Sequence, residues 1–144
     1  RFNVFDYKGA TLIADYGHNP DAIQALVHAV DNMPASKRMV VISGAGDRRD
    51  EDIRDQTRIL GAAFDDVVLY QDACQRGRAD GEVVTLLREG LEGAARTRHI
   101  ETIQGEFNAI DAALARLSTG DLCLILIDQV EEALAYINEK VRQA

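Results

Sequence analysis

Three short runs in this chain, MVVIS at 39–43, VVLY at 67–70 and LCLILI at 122–127, are apolar at nearly every position. A strand with one wet face alternates apolar and polar residues, so runs of this kind predict strands covered on both faces. Between them the period changes to that of a helix. Ile23, Leu26, Val27 and Val30 recur within 21–33, and Val84, Leu87 and Leu91 within 81–92. Further helices are predicted from the GAGDRRDED stretch to about Phe64, over 106–117 and over VEEALAYINEKV (130–141). A weaker strand is read near HIETI, at 99–103. The opening differs: FNVFDY (2–7) alternates, Lys8-Gly9 reads as a tight turn and ATLIADY (10–16) returns, which predicts an antiparallel hairpin. The pattern predicts an α/β fold, a Rossmann-like three-layer sandwich. Its six-stranded sheet is mostly parallel, with an N-terminal antiparallel hairpin and helices on both faces. No repeat, low-complexity tract or second domain is visible, and 144 residues suit one domain with its own core.

Composition narrows the function classes. With 47% hydrophobic and 28% charged residues the chain reads as a soluble globular protein. No apolar run approaches the ~20 residues of a membrane span. A formal charge of −8 argues against binding a nucleic acid backbone, which calls for a basic surface. The same charge suits a cationic substrate or a solvated acidic surface. Cys74 and Cys123 are far apart and form no CxxC pair, so they are read as reduced thiols in a cytoplasm, without a zinc site or disulfide framework. No metal ligand set is apparent. The chain begins at Arg1 with no signal-peptide pattern and is expected to be a piece of a longer cytoplasmic protein.

In such sheets ligands bind beyond the carboxyl ends of the strands, which directs attention to loops 15–20, 44–52, 71–80 and 128–130. SGAG at 43–46 begins like a dinucleotide fingerprint, but Arg49 stands where the third glycine is required. The chain also lacks GxxxxGK[ST], so it carries no P-loop of its own. ADYGHNP (14–20) gathers polar side chains where a strand turns into a helix. Within it Asn19 and Pro20 form a good N-cap and N1 pair, and Asp15 is able to bond its own turn. Asp50, Glu51 and Asp52 fall in a first helical turn, where the dipole favours each acid by ~0.3 to 1 kcal/mol. Arg48 and Arg49 suit a phosphate, a carboxylate or a surface salt bridge equally well. His28 and His99 are assigned no role, and Cys74 has no adjacent base to make it a nucleophile.

ADYGHNP after a hairpin opening with RFN resembles the DYAHNP or DGAHNP turn that begins the C-terminal domain of the Mur ligases and folylpolyglutamate synthetases. The wider string RFNVFDYKGATLIADYGHNPDAI, with GAGDRRDEDI and LCLILIDQVEEAL, is similar to a bacterial branch of that family, over essentially the whole chain. In that branch an ATP-grasp half adds aspartate to a polymer, and a Mur-ligase-like half attaches arginine to the aspartate side chain. The resemblance implies that residues 1–144 are the last lobe of the second half, inactive alone. It would close over ATP and magnesium held mainly by a central P-loop domain of the same enzyme. A carboxylate is activated there as an acyl phosphate and attacked by an amine, which requires alignment and exclusion of water.

The resemblance also assigns roles. Asp15 would accept hydrogen bonds from the nucleotide ribose, and Arg1 would approach ribose or phosphates. His18 and Asn19 would be catalytic donors near the transferred phosphate and the acyl phosphate. Arg48 and Arg49 match a GDRD loop and would meet phosphate or a polymer carboxylate, with Asp47 orienting one of them. Asp72 and Arg76 roughly match the acid and arginine of a DNPR motif whose other residues differ here. Asp72, Asp80 and Glu82 are the acids available to fork an incoming guanidinium. Implied partners are the central domain, ATP, arginine and the aspartate–arginine polymer, with a homo-oligomer when full length and neither nucleic acid nor membrane. Two alternatives stay open: another Mur-type ligase such as a folylpolyglutamate synthetase, and a stand-alone Rossmann-like binding module.

Overall fold

The computed structural model describes residues 2–17, 19–43, 49–71, 79 and 81–144. A hairpin of β1 (Asn3–Tyr7) and β2 (Ala10–Asp15) leads into α1 (Pro20–Asp31), β3 (Arg38–Ile42), α2 (Asp50–Gly61), β4 (Asp66–Gln71) and α3 (Glu82–Gly90). The chain ends with β5 (His99–Gln104), α4 (Glu106–Ala115), β6 (Leu122–Leu126) and α5 (Val130–Gln143). Six strands form one sheet in the order β1-β2-β6-β3-β4-β5. Only β1 runs antiparallel; β2, β6, β3, β4 and β5 are mutually parallel. This is the predicted three-layer α/β architecture, and the last strand slots between the second and third.

The continuous apolar runs are explained by burial on both sides. Because successive side chains point to opposite faces, each central strand feeds two cores. Val40, Ile42, Val67, Leu69 and Leu124 join Ile23, Ile53, Leu60 and Leu87 beneath α1, α2 and α3. Met39, Val41, Val68, Cys123 and Ile125 join Ile110, Ala113, Ala133 and Ile137 beneath α4 and α5. Each fully buried aliphatic side chain contributes about 1.5–3 kcal/mol, so these two layers hold the sheet between the helices. β5 lies at the edge of the sheet and has no fully buried residue, which is why HIETI, with polar residues between its two isoleucines, gave the weakest strand signal.

The hairpin turn takes the form its residues dictate. Lys8 and Gly9 have φ of 53° and 86°, the positive pair of a two-residue turn that matches strand twist. The Gly9 N–H donates to Asp6 Oδ1 at 3.1 Å. α1, α3 and α4 end two residues short of expectation, at Asp31, Gly90 and Ala115, and the largest difference is in α2, which ends at Gly61, three residues before Phe64. There the Ala63 and Phe64 N–H groups both turn back to the Leu60 carbonyl at 3.0 Å, and Phe64 drops into the core as the chain leaves the helix.

The amino edge of the sheet is laced with ion pairs. Asp65 accepts the Arg38 N–H at 2.9 Å and a fork from Arg96 at 2.9 and 3.3 Å. Burial alone would raise the Asp65 carboxyl, but these bonds and the two guanidinium charges hold it below the usual carboxylate range. A shallow depression of about 460 Å³ lined by Pro34, Ala35, Ser36 and Gly120 also lies at this edge. Both features are on the opposite side from the loops in which a ligand is expected. No helix among the described residues is long and apolar enough to cross a membrane.

Candidate functional site at the carboxyl edge

Parallel strands place the ends of β2, β3, β4, β5 and β6 on one rim, so the loops singled out in the sequence share an edge. Asp15 is the last residue of β2 and is half-buried. Its Oδ1 accepts the Gly17 N–H at 2.9 Å, the local turn expected of an aspartate at a strand end. Its carbonyl accepts the Ile127 N–H at 2.9 Å, which ties the turn to the end of β6. Asn19 has extended backbone and caps α1, its Oδ1 accepting the Ala22 N–H at 2.8 Å, with Pro20 at the first helical position.

Arg49 occupies the N-cap position of α2 with no side-chain capping bond. Its guanidinium forks onto both oxygens of Asp52 at 3.1 Å while its side chain stays 81% exposed. The bond to Asp52 raises the Arg49 pKa, so the cation is held in place at the surface. Glu82 opens α3, and its Oε1 accepts the Ala79 N–H at 3.2 Å, a reach back across the helix start. Below it, Gln71 Oε1 accepts the Gly81 N–H at 2.7 Å, joining the end of β4 to the start of α3. Asp15, Asn19, Arg49 and Glu82 therefore all stand on the predicted rim. Arg1, His18, Arg48, Asp72, Arg76 and Asp80 lie outside the described residues, as do Asp47 and Cys74.

Three polar groups at this edge were not singled out in the sequence. Tyr70, wholly buried near the end of β4, donates its hydroxyl to the Leu126 carbonyl at 2.8 Å. Ser43 is 1% exposed just past β3, and its hydroxyl has no hydrogen-bond partner among the described residues. Glu106 opens α4 after β5, whose carboxyl end is a fifth loop on the rim. The sequence signal for this turn is Gly105 just before Glu106; in the structure that glycine has φ +94°, a conformation that favours glycine. Elsewhere, burial pushes the Cys123 thiol up to about 12, which makes it an inert core residue. His28 and His99 are exposed. Among the described residues no group of three or more His, Cys, Asp or Glu side chains could hold a metal ion.

A mostly parallel sheet with an N-terminal antiparallel hairpin carries a polar rim at its carboxyl edge. Residues 1–126 match the family model for the Mur ligase, glutamate ligase domain, and the chain belongs to that family. Cyanophycin synthetase from Crocosphaera subtropica is 33% identical over 140 residues, which are 97% of this chain and 16% of that protein. UDP-N-acetylmuramoyl-L-alanyl-D-glutamate–2,6-diaminopimelate ligase from Zymomonas mobilis is 33% identical over 119 residues, 82% of this chain and 23% of that protein. The chain thus spans a small fraction of either relative. Among solved structures, a ligase of the second kind superposes with a TM-score of 0.79 at 18% identity, covering 97% of this chain and 31% of that one. FolC from E. coli in complex with ADP gives 0.73 at 23% identity, covering 96% and 32%. These two establish the shared fold.

Proposed function

We propose that this chain is the C-terminal lid lobe of an ATP-dependent amide ligase of the cyanophycin synthetase type, one that attaches arginine to the aspartate side-chain carboxylate of a growing polymer through an acyl phosphate. The observation that carries this reading is the end-to-end similarity to cyanophycin synthetase, 33% identity over 97% of the chain. The rim supports it. Asp15 sits half-buried at the end of β2, the Ser43 hydroxyl is buried at the end of β3 with no partner among the described residues, and Asn19 and Pro20 start a helix between them in the chain. That set of oxygen donors and acceptors fits a polar, anionic nucleotide better than an apolar ligand.

In this reading Asp15 and Arg1 hold the ribose side of ATP, and Arg48 and Arg49 face phosphate or a polymer carboxylate. His18 and Asn19 donate to the acyl group being activated. Asp72, Arg76, Asp80 and Glu82 surround the incoming arginine. ATP, with magnesium held mainly by the central domain, supplies the phosphoryl group that activates the carboxylate. The lobe's own contribution is to align the groups and exclude water, acting from the cytoplasm as part of a full-length homo-oligomer.

The test is ATP-dependent incorporation of arginine into an aspartate-backbone primer by the full-length protein, with ATP titrated. His18→Ala is expected to lower the rate about 10²-fold, the scale of one lost transition-state contact, and Asp15→Ala is expected to raise the ATP requirement. No ATP-dependent ligation by the full-length protein would favour a stand-alone binding module, whereas rates unchanged in both variants would remove His18 and Asp15 from the site. Incorporation of glutamate onto a folate, with none of arginine, would favour the folylpolyglutamate synthetase reading, which the FolC likeness in fold keeps as the second choice.

A further inference from the structure

We propose that Glu106 is a positioning residue for the nucleotide, fixing from behind the rim the turn that carries Asp15; this rests on the functional reading above. Glu106 is a carboxylate only 5% exposed. Its Oε2 accepts the Asp128 N–H at 2.8 Å, and its Oε1 accepts the Gln129 N–H at 3.2 Å and the Gln129 Nε2–H at 3.3 Å. Gln129 is the N-cap of α5 and provides no side-chain cap of its own, so a residue from the start of α4 satisfies the start of α5. Two helix N-termini meet one carboxylate, an arrangement the helix dipoles favour.

The tie then runs along β6 to the rim. Asp128 follows Ile127, whose N–H donates to the Asp15 carbonyl at 2.9 Å, and the preceding Leu126 carbonyl takes the buried Tyr70 hydroxyl at 2.8 Å. The end of β6 is thus held from three sides, by Tyr70, by Asp15 and by Glu106. Removing the third leaves the backbone to which Asp15 is attached free to shift. A glutamine at 106 has the right shape and the wrong chemistry: its NH₂ would confront N–H donors where a carboxylate oxygen now accepts. Asp15 is read as the ribose contact and not as a group at the reacting atoms, so a shift of its backbone shows first in nucleotide affinity.

Asp121 is a matched control. It is equally buried, at 5%, and its Oδ2 accepts the Ser118 N–H at 2.9 Å, but it lies at the amino edge, away from the rim. In the full-length protein, E106Q is expected to raise the KM for ATP at least about fivefold, the scale of a lost charge-assisted bond, with a smaller change in kcat. E106D, which keeps the carboxylate, is expected to recover most of that loss, and D121N to lower the Tm without moving the KM for ATP. An unchanged KM in E106Q, or the same KM shift in D121N, overturns the positioning role alone. Absence of ATP-dependent turnover in the wild type overturns both the role and the functional reading. Should E106Q fail to fold, E106A, which removes the carboxylate and adds no donor, carries the test; a wild-type KM there overturns the role.

Discussion

Asn19 shows how one side chain serves two purposes. As the N-cap of α1 it already has a structural job, its Oδ1 accepting the Ala22 N–H at 2.8 Å, and the functional reading adds a donor role at the acyl group. Substitution separates them because serine caps nearly as well as asparagine and alanine does not. Asn19→Ala is expected to cost about 1 kcal/mol in urea unfolding, whereas Asn19→Ser is expected to keep stability near wild type. If the donor role holds, both variants lose ligation activity alike. A serine variant that is stable and fully active would reduce Asn19 to a cap. Arg49 is the contrasting case: its fork onto Asp52 realises the salt-bridge reading of that residue, so a phosphate would have to compete with a carboxylate already in place.

Among the elements, α2 and α3 pack closely enough to exclude a side chain at Gly90. A Cβ at Gly90 would collide with the Arg54 carbonyl and the Thr57 hydroxyl, the latter donating to the Leu87 carbonyl at 2.6 Å across the interface. The first is backbone of a packed helix and the second is a short side chain tied across the interface, so neither moves aside cheaply. Gly90→Ala is therefore expected to destabilise by about 3 kcal/mol or more. Gly93→Ala, with φ +71° but nothing within 4 Å, should cost only about 1–2 kcal/mol of backbone strain. Urea titration of the pair checks the ranking, and equal losses would mean that the helices can separate at little cost. Neither glycine was distinguishable in the sequence, since the first is set apart by a neighbour 30 or more residues away.

At the scale of the molecule, the polar rim belongs to a chain that has no GxxxxGK[ST] loop and matches 16% of a relative's length. The proposed function assigns the phosphate cradle and magnesium to another domain. The purified 144-residue chain is accordingly expected to show no ATP hydrolysis above background and at best weak nucleotide binding by calorimetry. Steady ATP turnover by this chain alone would contradict the lid assignment. Its two core layers are complete, one under each set of helices, so the lobe is expected to carry its rim as a rigid unit.

Local periodicity determined the fold class, because a strand buried on both faces and an amphipathic helix each leave a pattern readable within ten residues. Lys8-Gly9, Asn19-Pro20 and the runs at β3, β4 and β6 were legible for that reason. The placement of Asp15 on a strand-end rim followed from the same pattern. Tertiary structure decided the order of the strands, which sets β6 beside β2 and so joins Ile127 to Asp15. It also decided that Glu106 reaches across to the start of α5 and that Gly90 admits no side chain. Those facts rest on contacts between residues distant in the chain, and nothing in the neighbouring letters encodes a distance that only packing of the whole sheet fixes.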